Sequence, residues 1–178
     1  MRWNDKGTLD IQNITIFYSE CNKHRQFCTG FAVHKNLVPP VREFKNINPK
    51  ISVLTIEAQY FEITFVNGHA PTEEKTQEKK DEFYDHLEYT FNEIPRSRIR
   101  IVLGDFNAKL GEENIFRSTI GNNCLHDVTS ENGLRRIDFA RGGGLVVKST
   151  MFPHKDIYKG TWKAPNGRYV NQIDYVLD

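Results

Sequence analysis

Asp105 and Asn107 stand two residues apart in Gly104-Asp105-Phe106-Asn107, directly behind the apolar run Ile99, Ile101, Val102, Leu103. A strand that is apolar at successive positions is covered on both faces, so the turn after it lies at the rim of a sheet. At such a rim a carboxylate can accept a proton or orient a water. A carboxamide can donate to a phosphate oxygen without bringing charge. The same four residues also make an ordinary turn, because glycine permits positive φ and Asp and Asn bond their own backbone. On local pattern the two readings are evenly balanced. Two further polar rims follow strand-like segments. Asn67-Gly68-His69-Ala70-Pro71 comes after the alternating Phe61, Ile63, Phe65, and Asn171-Gln172-Ile173-Asp174-Tyr175-Val176 closes the chain.

The elements that must position these rims are mostly short strands. Ile11–Tyr18, Thr29–His34 and Ile51–Glu57 are rich in β-formers, and Tyr60–Val66 pairs with Ile51–Glu57 as a hairpin. Pro39-Pro40 and Asn48-Pro49 mark a loop between the second and third strands, since proline withholds a backbone donor. A helix is expected from Thr72 to Asn92, capped by Thr72, favoured by Glu73 and Glu74 at its positive end and stopped by Pro95. Phe83, Tyr84, Leu87, Phe91 and Ile94 are its buried stripe. The mixed charges of Glu73–Glu82 are a solvated face. After the strand at Ile99 a long loop runs from Lys109 to Thr129, then a helix entered at Asn132 and ended by Gly142-Gly143-Gly144. Those glycines lack the Lys-Ser/Thr context of a phosphate cradle. Leu145–Val147 and Asp156–Trp162 read as strands, and Pro165-Asn166-Gly167 turns into a last strand, Tyr169–Leu177. The fold class is α/β, a layered α/β sandwich of two packed, mainly antiparallel sheets with helices outside.

A length of 178 residues fits one domain with a real core. The formal net charge of +1, from 24 basic and 23 acidic side chains, excludes a global polycation, so any DNA binding comes from a local patch. Lys35, Arg42, Lys45 and Lys50 form a loosely basic loop, read as solvated surface. Cys21, Cys28 and Cys124 have no paired ligand spacing, and Met1–Asp10 carries no apolar signal peptide. This composition suits a reducing compartment, nuclear or cytoplasmic, and predicts no disulfide-linked partner. No apolar stretch approaches the roughly 20 residues of a membrane-spanning helix, so no membrane partner is expected. His24, His34, His86, His126 and His154 show no ligand spacing and read as surface or core histidines.

In its order of motifs the chain resembles the endonuclease/exonuclease/phosphatase superfamily, the deoxyribonuclease-I-like fold. Within it the likeness is to the apurinic-endonuclease-like domain of non-LTR (LINE-type) retrotransposons and to the craniofacial development protein 2-like group derived from them. The residues that carry it include His69–Lys75, Leu103–Lys109, Asn132-Gly133-Leu134, Phe139-Ala140, Ser149-Thr150, Thr161-Trp162 and Asn171–Asp174, nearly the whole length of the chain. The resemblance implies a metal-dependent phosphodiesterase, usually with magnesium, that nicks the DNA phosphodiester backbone. Asp105 matches the position that orients or deprotonates the attacking water, Asn107 the position that holds the phosphate, and Asp174 the aspartate that orients a catalytic histidine. His69 stands where many relatives have a tyrosine touching phosphate, and Trp162 and Asn171 fall in substrate-cleft motifs. Each residue also has a plain structural reading: a strand-end histidine for His69, a salt-bridged strand carboxylate for Asp174, a core tryptophan for Trp162.

The resemblance also marks departures. The family's principal metal-ligand glutamate, typically followed by Thr-Arg-Trp, would fall just before Met1, since Arg2-Trp3 opens the chain. The Ser-Asp-His segment would fall past Asp178. The expectation is therefore a single partial domain, 1–178, lacking the opening strand-helix unit and the closing motif, with its metal ligands unknown and its activity weak or absent. The alternatives are a non-catalytic remnant or domesticated nucleic-acid-binding piece, and a phosphatase or sphingomyelinase branch of the superfamily.

Overall fold

Alternation of apolar side chains along short β-rich runs sets most of the architecture. A computed structural model describes residues 7–18 and 29–178; Arg2-Trp3, Cys21, His24 and Cys28 lie outside the described residues. The chain divides into two compact units, residues 1–69 with 90–102, and residues 70–89 with 103–178.

The first unit holds β1 (Gly7–Ile11), β2 (Ile14–Tyr18) and β3 (Gly30–His34), antiparallel in that order. It also holds β4 (Val41–Asn48), β5 (Ile51–Glu57) and β6 (Glu62–His69), each antiparallel to the next, with the opening residues of β7 (Ile99–Asp105). Ile51 to Thr55 on β5 are all buried, as a strand covered on both faces requires. A buried polar pair is satisfied across the ladder, where Thr55 and Thr64 are partners in register and their hydroxyls lie 3.1 Å apart. Phe17 and Val33 from one sheet pack with Leu54 from the other, and the Phe44 ring sits 5.7 Å from Phe17 and 6.4 Å from Phe31. Two antiparallel sheets thus face each other across an aromatic core, the packing expected of the sandwich.

Where a loop is expected between Pro39 and Pro49, the structure has a strand. The prolines bracket β4 instead of interrupting it. Pro40 precedes it, and the Asn48 side chain closes the next turn by accepting the Lys50 N–H at 2.8 Å. Register shifts at Val41/Glu43 and Asn46/Asn48 scramble the alternation that would have signalled a strand.

The second unit contains most of α1 (Gln77–Asn92), the end of β7, α2 (Glu131–Gly143), the single turn α3 (Asp156–Lys159), the hairpin β8 (Trp162–Lys163) with β9 (Val170–Asn171), and β10 (Asp174–Leu177). β10 is the neighbour of β7 in the strand order. The stripe Phe83, Tyr84, Leu87, Phe91, Ile94 is buried as its spacing requires. α1 starts at Gln77, five residues later than expected. Pro71 and Glu73 are instead bonded to Asn132, and the Lys75 N–H turns back onto the Thr72 carbonyl. α2 is capped by Ser130, whose hydroxyl accepts the Gly133 N–H, and ends at Gly144 with φ of +66°.

The strands expected at Leu145–Val147 and Asp156–Trp162 are not formed. Val147 makes only isolated bridges, to Ile120 and Leu177. Ile157 and Tyr158 stay exposed on α3, with no sheet to enter. Among the described residues no helix is long and apolar enough to cross a membrane.

Leu54→Ala should empty the centre of the first unit's core and lower its unfolding free energy by about 2–5 kcal/mol in urea denaturation. A loss below about 0.5 kcal/mol would contradict this packing.

Candidate functional site

β7 ends in a turn that most residues resist. Gly104 has φ of +135° and Asn107 φ of +46°, and Asn is among the few side chains that tolerate the left-handed region. Asp105 Oδ1 accepts the Asn107 backbone N–H at 2.9 Å, which fixes the carboxylate against its own turn. The remaining polar groups of the turn go to segments far away in sequence. The Ala70 N–H donates to the Asp105 carbonyl at 2.9 Å and the Phe106 N–H to the Ile173 carbonyl at 3.0 Å. Asn107 Nδ2 donates to the Ala70 carbonyl at 2.9 Å. Asn132 Nδ2 donates both to the Asn107 carbonyl at 3.1 Å and to the Pro71 carbonyl at 2.9 Å.

Beyond the turn, burial alternates along the chain. Phe106, Ala108 and Leu110 are fully buried, whereas Asp105, Asn107 and Lys109 line a cavity of about 750 Å³. Trp162, Tyr169 and Asn171 of the β8–β9 hairpin line the same cavity. The two rings lie 6.0 Å apart, and Trp162 is 39% exposed, so it is not a core tryptophan. Thr161 ties the hairpin down. Its N–H donates to the Asn171 carbonyl at 2.9 Å, and its hydroxyl accepts the N–H groups of Ile173 at 3.1 Å and Asp174 at 3.2 Å.

Of the residues singled out in the sequence, Asp105, Asn107, Trp162 and Asn171 therefore share one cavity. Asp174 is half-buried at the start of β10 and is not among the cavity's lining residues. His69 ends β6 in the first unit, where its N–H donates to the Lys50 carbonyl at 2.9 Å. Of the basic residues expected in a loop there, Arg42 and Lys45 lie on β4, where Arg42 pairs with Glu57 and Lys45 lies 3.0 Å from Glu43.

Arg136 supports the turn from inside the second unit. Its guanidinium stacks 4.5 Å from the Phe106 ring centroid and 3.9 Å from that of Tyr175. The side chain is wholly buried, and none of its nitrogens has a hydrogen-bond partner among the described residues. Burial pulls its pKa down to about 10, which still leaves it cationic at neutral pH. Two ring faces hold the charge in place of acceptors. The Tyr175 hydroxyl donates to the Gln172 carbonyl at 2.9 Å and accepts the Leu110 N–H at 3.2 Å. The sequence motifs pass over Arg136, although Gly133, Ile137 and Ala140 place it on the buried stripe of α2, where a charge is unexpected.

The cavity is predominantly acidic. Glu73, Glu74 and Glu131 line it with Asp105, against Lys109 as the cation among its lining residues. Glu131 pairs with Arg135 at 2.6 Å and Lys80 at 3.5 Å, and Glu73 accepts the Asn132 N–H at 3.3 Å. Among the described residues no group of three or more His, Cys, Asp or Glu side chains is placed to hold a metal ion. Cys124 is a buried free thiol whose pKa is raised to about 11, chiefly by burial.

No protein-family profile matches the chain. It is 28% identical over 179 residues to craniofacial development protein 2 of Tragulus javanicus and 27% identical to that of Bos taurus, in each case over 99% of this chain. The chain spans about 30% of the length of those relatives. Among solved structures, the endonuclease domain of TRAS1, a telomere-specific non-LTR retrotransposon, superposes with a TM-score of 0.62 at 13% identity, over 94% of this chain and 65% of that one. The AP endonuclease LMAP of Leishmania major gives 0.64 at 11% identity, over 94% and 62%. An endonuclease/exonuclease/phosphatase family protein of Leptotrichia buccalis gives 0.55 at 16%, over 94% and 61%. The chain thus has the deoxyribonuclease-I-like α/β fold of these proteins.

One neighbour of the cavity is a histidine held toward its neutral form. His126 Nε2 accepts the Gln172 N–H at 3.2 Å, beside Asn171. Burial, and then the charge of Lys109, hold its pKa below the ordinary 6.5. The unfolded chain therefore binds this proton more readily than the folded one. The stability that neutral His126 contributes is complete above pH 6.5 and is lost as pH falls through the lower folded value. The urea midpoint should fall more steeply between pH 7.5 and 5 in the native chain than in His126→Gln; parallel profiles would contradict it.

Proposed function

We propose that this chain, with the deoxyribonuclease-I-like fold, carries the substrate-gripping part of a DNA phosphodiesterase site of the retrotransposon endonuclease type. The observation that supports this reading is the single cavity shared by Asp105, Asn107, Trp162 and Asn171, together with the likeness to the TRAS1 endonuclease domain. In it the Asp105 carboxylate, fixed by its bond from the Asn107 N–H, accepts a proton from the attacking water. Asn107 uses one hydrogen of its Nδ2 for the Ala70 carbonyl. The second hydrogen donates to a phosphoryl oxygen, where charge grows as phosphorus is attacked. Trp162 and Tyr169 offer ring faces to a base or sugar. Asp174 and His69 keep the roles the resemblance assigns them, orienting an imidazole and contacting phosphate.

Magnesium is the ion that the resemblance implies, and it neutralises phosphodiester charge when bound. The described residues supply no cluster of ligands that fits it, so the roles of Asp105 and Asn107 rest on the chain's own side chains. A second reading, in which the chain binds nucleic acid without cleaving it, draws on the exposed rings of Trp162 and Tyr169, which can stack on bases.

Nicking of supercoiled plasmid with magnesium separates the two. Slow nicking that Asp105→Ala reduces by about 10²-fold or more supports the phosphodiesterase. Nicking untouched by Asp105→Ala contradicts it. Binding without nicking at any protein concentration supports the second reading.

A further inference from the structure

We infer that Lys109 is a phosphate-binding residue of this cavity, gripping the backbone phosphate next to the one held at Asn107 on the same nucleic-acid strand. The inference rests on the reading of the cavity as a phosphodiester site and adds to it a residue outside the matched catalytic positions.

Register carries the argument first. From 105 to 110 the chain alternates, with Phe106, Ala108 and Leu110 wholly buried and Asp105, Asn107 and Lys109 lining the cavity. Lys109 therefore presents to the same space as Asn107, at a Cα separation of about 7 Å at most for two residues of extended chain. Its backbone is fixed rather than merely nearby. The Lys109 N–H donates to Ser130 Oγ at 3.2 Å, and its carbonyl accepts the Ser130 N–H at 3.0 Å. A Cβ at Gly133 would come within 2.3 Å of that carbonyl, so α2 is seated directly on this residue. The backbone of Lys109 is thus tied to the start of α2 while its side chain is exposed.

Charge carries it second. A cavity lined by Glu73, Glu74, Asp105 and Glu131 repels a phosphodiester unless some cation offsets them. Glu131 already has Arg135 and Lys80, and Glu73 has the Asn132 N–H. Lys109, by contrast, has no carboxylate within 4.0 Å among the described residues, unlike Lys80, Arg135 and the other basic side chains that do pair. A strongly hydrated cation standing unpaired in an acidic recess is suited to an anion that arrives from outside. A backbone phosphate is such an anion, and its neighbour at Asn107 sets the register.

The test is fluorescence anisotropy of a labelled DNA duplex with the full chain, the affinity being measured across a range of potassium chloride concentrations. If Lys109 neutralises one phosphate, Lys109→Ala should weaken binding several-fold at low salt. It should also reduce the slope of log affinity against log salt by about 0.9. Lys109→Arg should restore both, and circular dichroism and thermal melting should be unchanged in both variants. Native-like affinity and slope in Lys109→Ala, with the native chain binding normally, would overturn the assignment of Lys109 alone. Absence of binding by the native chain at low salt would overturn the phosphodiester reading and the inference with it.

Discussion

The candidate site depends on where one turn sends its backbone hydrogen bonds. Asp105 to Asn107 leave the sheet ladder at a left-handed corner, and buried polar groups there must find partners. They find them in Ala70, in Ile173 and in the side chain of Asn132. Those contacts recruit the start of the segment before α1, the approach to β10 and the first turn of α2. Asn132 joins two of them by donating to Pro71 and Asn107 together. The catalytic role proposed for Asp105 calls for this kind of over-determination, because loose positioning sacrifices rate.

Below that corner the fold keeps a charge where an apolar side chain would pack. Arg136 is wholly buried between Phe106 and Tyr175 with no acceptor for its nitrogens among the described residues. The rings it separates immediately follow Asp105 and Asp174 in sequence, so one guanidinium braces both acidic positions from within. Departures from ordinary core composition concentrate at functional sites, and this one packs on Phe106, between two residues that line the cavity.

Much of the local pattern was legible in the residues. The α1 stripe, the β5–β6 hairpin and the rim after β7 follow from periodicity, whereas the burial of Phe106, Ala108 and Leu110 between Asp105, Asn107 and Lys109 emerges only in the structure, since a loop is expected from Lys109 onward. What was not legible was set by distant partners. Thr72 and Glu73 look like a helix start, yet the segment is a turn bonded to Asn132 and the helix begins later. Asn132 looks like a helix entry, yet Ser130 is the cap and the Asn132 carboxamide points to other segments. Pro39 to Pro49 looks like a loop, because bulges hide the alternation of β4. Ile157 and Tyr158 look like strand residues, yet nothing pairs with them in a sheet and they remain exposed. Asp174 falls in a family motif, but Asn171 and Ile173, and not Asp174 itself, line the cavity.

The central claim is that the recess around Asp105 and Asn107 receives a nucleic-acid phosphate. Chemical-shift mapping of the isotopically labelled chain, titrated with a short DNA duplex, tests it most directly. The account predicts that the perturbed amides cluster at Gly104–Leu110, Ser130–Glu131 and Thr161–Ile173. Perturbations confined to the strands of the first unit, with those segments silent at saturation, would contradict it.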